Sequence, residues 1–130
     1  MAEVRAKKAL GQHFLTDLNI ARKICYSMSG GTPEQPATVL EVGCGMGVLT
    51  QFMLQRDDVV TYGAEIDSES VEYLHAHYPE FAPRLTEGDF LKMDLRAAYG
   101  DRLKIIGNFP YNISSQIFFK VLENRDIVPE

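Results

Sequence analysis

The chain has 130 residues, 45% of them hydrophobic, which suits one domain with an ordinary core and argues against disorder. A formal net charge of −5 argues against a nucleic-acid binder whose affinity comes from a basic surface overall. No run approaches the ~18 apolar residues of a membrane span, and the start lacks a secretory apolar region.

In chain order, Arg5, Lys7 and Lys8 form a short basic cluster, read first as a solvated arm and second as a contact to RNA phosphate. Residues 16–28 have the spacing of an amphipathic helix, with Thr16 or Asp17 as N-cap. Leu18 lies beside Ala21, while Ile20, Ile24 and Met28 recur at i, i+4 and i+8; Ser29-Gly30-Gly31 closes the helix. Cys25 and Cys44 belong to no CxxC pair or metal-ligand cluster, so a reduced, cytoplasmic setting without a metal is expected.

Pro33 and Pro36 mark a loop over residues 32–37. A β-branched strand over 37–45 ends in glycines, and a helix is predicted from Gly47 to Gln55. Strands are then predicted over 58–66, 84–90 and 102–108, alternating with helices over 68–78, 93–99 and 114–124. That alternation implies βαβ crossovers: an α/β, Rossmann-like fold with a partial doubly wound parallel sheet and a helical N-terminal extension. The strand order expected is 3-2-1-4.

Ligands of open α/β sheets sit beyond the C-terminal ends of the strands, so the residues just after each strand carry the information. The first strand is followed by Glu41-Val42-Gly43-Cys44-Gly45-Met46-Gly47. Its glycines allow a sharp turn and close approach of a ligand, but the spacing is G-x-G-x-G. A dinucleotide fingerprint would need Gly or Ala where Val48 stands. The second strand leads into Glu65-Ile66-Asp67, and Glu65 lies 22 residues past Gly43, the offset at which a carboxylate accepts from both ribose hydroxyls. Asp67 reads as a helix cap.

Gly88-Asp89-Phe90 follows the third strand; Asp89 suits an adenine amine and Phe90 could pack on the ring. A nucleoside site without a phosphate-binding signature points to S-adenosylmethionine rather than NAD. Glu41 fits as well, by engaging the ammonium of a methionine moiety directly or through water.

The fourth strand ends in Asn108-Phe109-Pro110-Tyr111. Pro110 fixes its own φ and keeps Phe109 extended, which aims the Phe109 carbonyl. With the Asn108 side-chain carbonyl, two acceptors can hold both hydrogens of one NH₂ group. Adenine N6 is a poor nucleophile because its lone pair is delocalised; holding its hydrogens out of plane favours a pyramidal nitrogen that can attack a sulfonium methyl. Tyr111 supplies a face on which an extruded base can stack.

Together "KKALGQHFL", "LEVGCGMGVLT", "AEID", "GDF" and "GNFPYNISS" resemble the ribosomal RNA adenine dimethyltransferases, over residues 7–123. The likeness is greatest to the small-subunit enzymes that dimethylate two adjacent adenines near the rRNA 3′ end. The resemblance implies that the backbone around His13 and Leu15 joins Gly43, Gly45, Gly47, Ile66 and Phe90 in holding the cofactor. It gives Glu65 the ribose, Asp89 the adenine, and Asn108 the region of the target amine. His13 stands where many relatives carry Asn, and Phe109 where Leu is common.

Relatives are about twice as long, with further strands and a helical RNA-gripping domain that residues 1–130 lack. The partners implied are small-subunit rRNA or its pre-ribosomal particle, and the shortened chain is expected to self-associate and to be inactive alone. The alternatives are the large-subunit adenine methyltransferases of the antibiotic-resistance type, and a non-catalytic assembly or transcription factor on the same scaffold.

Overall fold

The computed structural model describes residues 18–100, 102–107 and 114–128. Four parallel strands, β1 (Ala37–Val42), β2 (Val59–Glu65), β3 (Leu85–Glu87) and β4 (Lys104–Gly107), form one sheet in the order β3-β2-β1-β4. This is the expected order. The register sets Val42 opposite both Ala64 and Gly107, and Glu65 opposite Glu87. The strands therefore finish almost level, and the residues that follow them gather at one end of the sheet.

The helices are α1 (Leu18–Ser27), α2 (Thr50–Met53), α3 (Ser68–His77), α4 (Leu95–Tyr99) and α5 (Ser114–Glu123), with 3₁₀ turns at Ala82–Arg84 and Phe90–Lys92. Two expectations are corrected here. The helix predicted from Gly47 starts only at Thr50, because Gly43, Gly45 and Gly47 all have left-handed φ, at 72°, 57° and 83°, which a right-handed helix excludes. The strand predicted over 84–90 stops at Glu87, because Asp89 accepts a hydrogen bond from the Leu91 amide and caps a 3₁₀ turn.

Both faces of the sheet are covered, as parallel strands require. On one face Leu40 and Val42 pack with Phe90, Leu95, Leu103 and Ile117. On the other, Val39 packs with Leu49, Met53, Ala21 and Cys25. Period-two alternation places Glu41 on the same face as Val39, a carboxyl at a core position.

Helix α1 forms where expected, but of its expected stripe only Met28, just past its end, is buried. Ala21, Cys25 and Met28 are buried, while Ile20 and Ile24 are exposed. The small stripe lets the helix approach closely enough for the Cys25 thiol to donate to the Leu49 carbonyl at 3.3 Å. The caps suggested at Thr16 and Asp17, and the basic cluster at Arg5, Lys7 and Lys8, lie outside the described residues.

Among the described residues no helix is long and apolar enough to cross a membrane, and no group of three or more His, Cys, Asp and Glu is placed to hold a metal.

Strand β4 is an edge strand among the described residues, as the sequence predicts, but its approach is partly covered. The Leu103 amide donates to the Ile127 carbonyl at 2.7 Å, and Ile127 and Val128 are buried in the core. Phe118 and Phe119 of α5 are 60% and 61% exposed, beside the exposed Leu122. Burying such side chains contributes roughly 1.5–3 kcal/mol each. The 130-residue chain is therefore expected to self-associate, its mean mass rising with concentration in light scattering. A constant monomer mass at high concentration would refute this.

Candidate functional site

The three left-handed glycines carry the chain over the C-terminal end of β1 in a tight turn. At Gly47 the need is twofold: beyond its φ, a Cβ would stand 2.7 Å from Cε2 of Tyr78. The end of β2 meets this turn directly. The Gly45 amide donates to Oε1 of Glu65 at 2.7 Å, and the Asp67 amide donates to Oε2 at 2.9 Å. The Gly43 amide donates to the Ala64 carbonyl at 2.9 Å, and the Gly88 amide to the Glu65 carbonyl at 2.9 Å, so the ends of β1, β2 and β3 are tied together.

The expected residues fall into three groups. Glu41, Gly43, Gly45, Gly47, Glu65, Ile66 and Asp89 come together at or beneath the strand ends. Ile66 is 65% exposed, an apolar side chain placed beside the acid and suited to the face of a ring. Asp67 is the cap it was expected to be, accepting from the Ser70 amide at 2.9 Å.

Phe90 is the correction. Its side chain is buried in the core, with Lys120 Nζ 5.1 Å from the ring centroid, because the 3₁₀ turn after Asp89 rotates it inward. It cannot pack on a ligand ring there. The third group, His13, Leu15, Asn108, Phe109, Pro110 and Tyr111, lies outside the described residues.

The ribosomal RNA adenine dimethylase family model matches residues 3–129. The chain belongs to that family. It is 52% identical over 130 residues to the ribosomal RNA small subunit methyltransferase A of Bacteroides thetaiotaomicron, covering 99% of this chain and 47% of that protein. The chain spans about half the length of the curated relatives it matches. Among solved structures it resembles a dimethyladenosine transferase from Plasmodium falciparum, at 29% identity and TM-score 0.66, over 89% of this chain and 40% of that one.

An RNA methyltransferase from Salinibacter ruber, solved with S-adenosyl-L-homocysteine, superposes with TM-score 0.63 at 14% identity, over 85% of this chain and 71% of that one. That likeness concerns the fold alone, which is the Rossmann-like fold of S-adenosylmethionine-dependent methyltransferases.

In this adenine dimethylase family member both strand-end acids are enclosed, each only 1% exposed. Glu41 accepts from the Thr50 hydroxyl, a contact that sequence reading missed because it joins residues nine apart on different elements. With its side chain enclosed, Glu41 does not meet a ligand directly in this conformation. Burial pushes the Glu41 carboxyl up to about 8, with the Thr50 hydroxyl pulling it down and the charge of Glu65 pushing it up. Burial likewise raises Glu65, opposed by the Gly45 and Asp67 amides.

The folded chain therefore keeps a proton on Glu41 that the unfolded chain releases above its ordinary 4.5. That contribution to stability is complete below pH 4.5 and is lost as pH rises through about 8. Glu41→Gln is expected to flatten the alkaline side of the stability profile, read as urea midpoints from about pH 5 to about pH 8.5. An unchanged slope would exclude Glu41 as its source.

Proposed function

We propose that this chain is the cofactor-binding and catalytic portion of an S-adenosylmethionine-dependent enzyme. Its reaction is dimethylation of N6 on two adjacent adenosines of small-subunit ribosomal RNA, in the cytoplasm, during assembly of that subunit. The observation that carries this reading is the Gly45–Glu65 hydrogen bond: it sets the glycine turn and the strand-end acid at one place, where a nucleoside can meet both.

The residues present fit the cofactor. Glu65 suits the ribose hydroxyls, Asp89 the adenine amine, Ile66 the face of the ring, and Glu41 the ammonium, through a water. Each Glu65 oxygen holds one amide and has a second acceptor site, so the ribose hydroxyls can join those amides once the glycine turn opens toward the ligand. When bound, S-adenosylmethionine supplies an electrophilic methyl on a leaving sulfur that is already cationic. The transfer as proposed therefore needs no metal. Asn108 and the Phe109 carbonyl orient the target amine, and Tyr111 stacks on its base. Grip on the RNA comes largely from outside these residues, in keeping with the net charge of −5.

Methyl transfer from labelled cofactor tests the substrate, using a chain carried to the relatives' length and offered unmethylated small subunits and large-subunit RNA side by side. Label in the small subunit is expected. Label confined to the large-subunit RNA would assign the chain to the resistance-type branch, and none in either would favour a binding factor.

The cofactor reading has its own test. Glu65→Ala is expected to weaken S-adenosylhomocysteine binding about 10- to 150-fold, the equivalent of about 1.5–3 kcal/mol of charge-assisted hydrogen bonding. Asp67→Ala removes only a helix cap, and should leave affinity within a few-fold. Equal losses in calorimetric titration would show that Glu65 does not hold the ribose.

A further inference from the structure

We propose that Thr50 is a positioning residue of the cofactor site, its hydroxyl holding the Glu41 carboxyl in place and favouring the charged form that the cationic amino-acid end of the ligand draws out. This rests on reading the glycine turn and Glu65 as an S-adenosylmethionine site.

Three observations carry it. Thr50 is fully buried at the start of α2, yet its hydroxyl does not serve that helix. The N-cap is Leu49, which makes no side-chain capping bond. The hydroxyl instead crosses to Oε1 of Glu41, at the end of β1.

Among the described residues, the Thr50 hydroxyl is the one side chain that hydrogen-bonds the Glu41 carboxyl. Among the described residues, the titratable groups that share its electrostatic surroundings are Cys25 on α1, Cys44 in the turn, Glu65 ending β2 and Tyr78 after α3, all neutral or acidic. No cation pairs with Glu41 among the described residues.

A carboxyl so placed is poised between its neutral and ionised forms, and the ammonium of a ligand favours the ionised one. Binding and ionisation are then linked, and the Thr50 hydroxyl sets the pH at which the site becomes competent. Without it the carboxyl would ionise only at higher pH, since this hydrogen bond favours the anion.

The experiment measures S-adenosylhomocysteine affinity of the 130-residue chain by calorimetry from about pH 6 to about pH 9.5, for wild type, Thr50→Val, Thr50→Ser and Glu41→Gln. Titration of the ligand's own amine is common to all four, so differences between variants at each pH isolate the protein. Thr50→Val is expected to bind about three- to tenfold more weakly near neutral pH, with the deficit closing as pH rises. Thr50→Ser should match wild type, and Glu41→Gln should stay weak throughout.

If Glu41→Gln weakens binding but Thr50→Val shows no deficit, or one independent of pH, the proposal is overturned and the cofactor reading stands. If Glu41→Gln binds like wild type, the role of Glu41 falls and this proposal with it. Absence of binding by wild type would overturn the cofactor reading itself. Should Thr50→Val fail to fold, Thr50→Ala, smaller and a better helix former, must show the same closing deficit or the proposal fails.

Discussion

Arg56→Ala is expected to lower the free energy of unfolding by about 2–4 kcal/mol. The Arg56 side chain is only 7% exposed. Its Nη1 donates to the carbonyls of Cys25 and Met28, both at 2.8 Å, where α1 ends. They lie at and just past the last turn of α1, where carbonyls lack the amide donors of a continuing helix, and a cation there also complements the helix dipole. The rest of the guanidinium forks onto Asp58, Nε to Oδ1 at 3.0 Å and Nη2 to Oδ2 at 2.9 Å.

The Asp58 carbonyl in turn receives the amides of Gly31 and Ala37, so one side chain secures α1, the loop after it and the start of β1. Truncation leaves two carbonyls and a carboxylate without donors. Asp58 is partly exposed and can rehydrate, which keeps the loss below that of a fully enclosed pair. Urea unfolding with an unchanged m-value is the measurement. Arg56→Lys should recover less than half, since an ammonium cannot reproduce the fork. A midpoint within error of wild type would show that water replaces these contacts without loss.

Arg56 also marks a limit of what can be read from one-dimensional order. Alternating strand and helix periods were enough for the parallel sheet, because right-handed crossovers leave few topologies open, and the doubly wound arrangement supplied its order. The place of the acid at residue 65 and the cap at residue 67 were legible because both follow from where a strand ends. Contacts between residues far apart carry no such marker. Arg56 meets Cys25 across 31 positions, and Thr50 meets Glu41 across a turn whose path three left-handed glycines determine.

The misread face of α1 has a related cause. In a helix of ten residues the pairs Ile20–Ile24 and Ala21–Cys25 lie about 100° apart, and hydrophobicity alone favours the bulkier one. Close packing against the Leu49 carbonyl admits only the smaller. Phe90 was assigned to the ligand for want of the 3₁₀ turn, whose geometry depends on a cap formed by Asp89.

In a chain of the relatives' length, Asn108→Ala is expected to reduce methyl transfer by about 10²–10³-fold or more, while S-adenosylhomocysteine affinity stays within a few-fold. The described part of the sheet motivates the first half. Gly107 of β4 lies opposite Val42 of β1, so Asn108, the next residue in sequence, follows a strand that ends level with the start of the glycine turn. The chemistry motivates the second. In the proposed reaction the Asn108 and Phe109 carbonyls take the two hydrogens of the target amine, and so would act on the nucleophile and scarcely on the cofactor.

Removing one acceptor frees one hydrogen and lets the nitrogen return to conjugation with the ring, where its lone pair is unavailable for in-line attack. Much of the remaining rate comes from orientation, which a single acceptor does not fix. Asn108→Asp separates acceptance from shape, since a carboxylate still accepts; it should retain more transfer than Ala. Single-turnover transfer and cofactor titration on the same preparations give the two readouts. Near-normal transfer by Asn108→Ala would remove Asn108 from the reaction, and a parallel collapse of cofactor affinity would move it from the target amine to the cofactor.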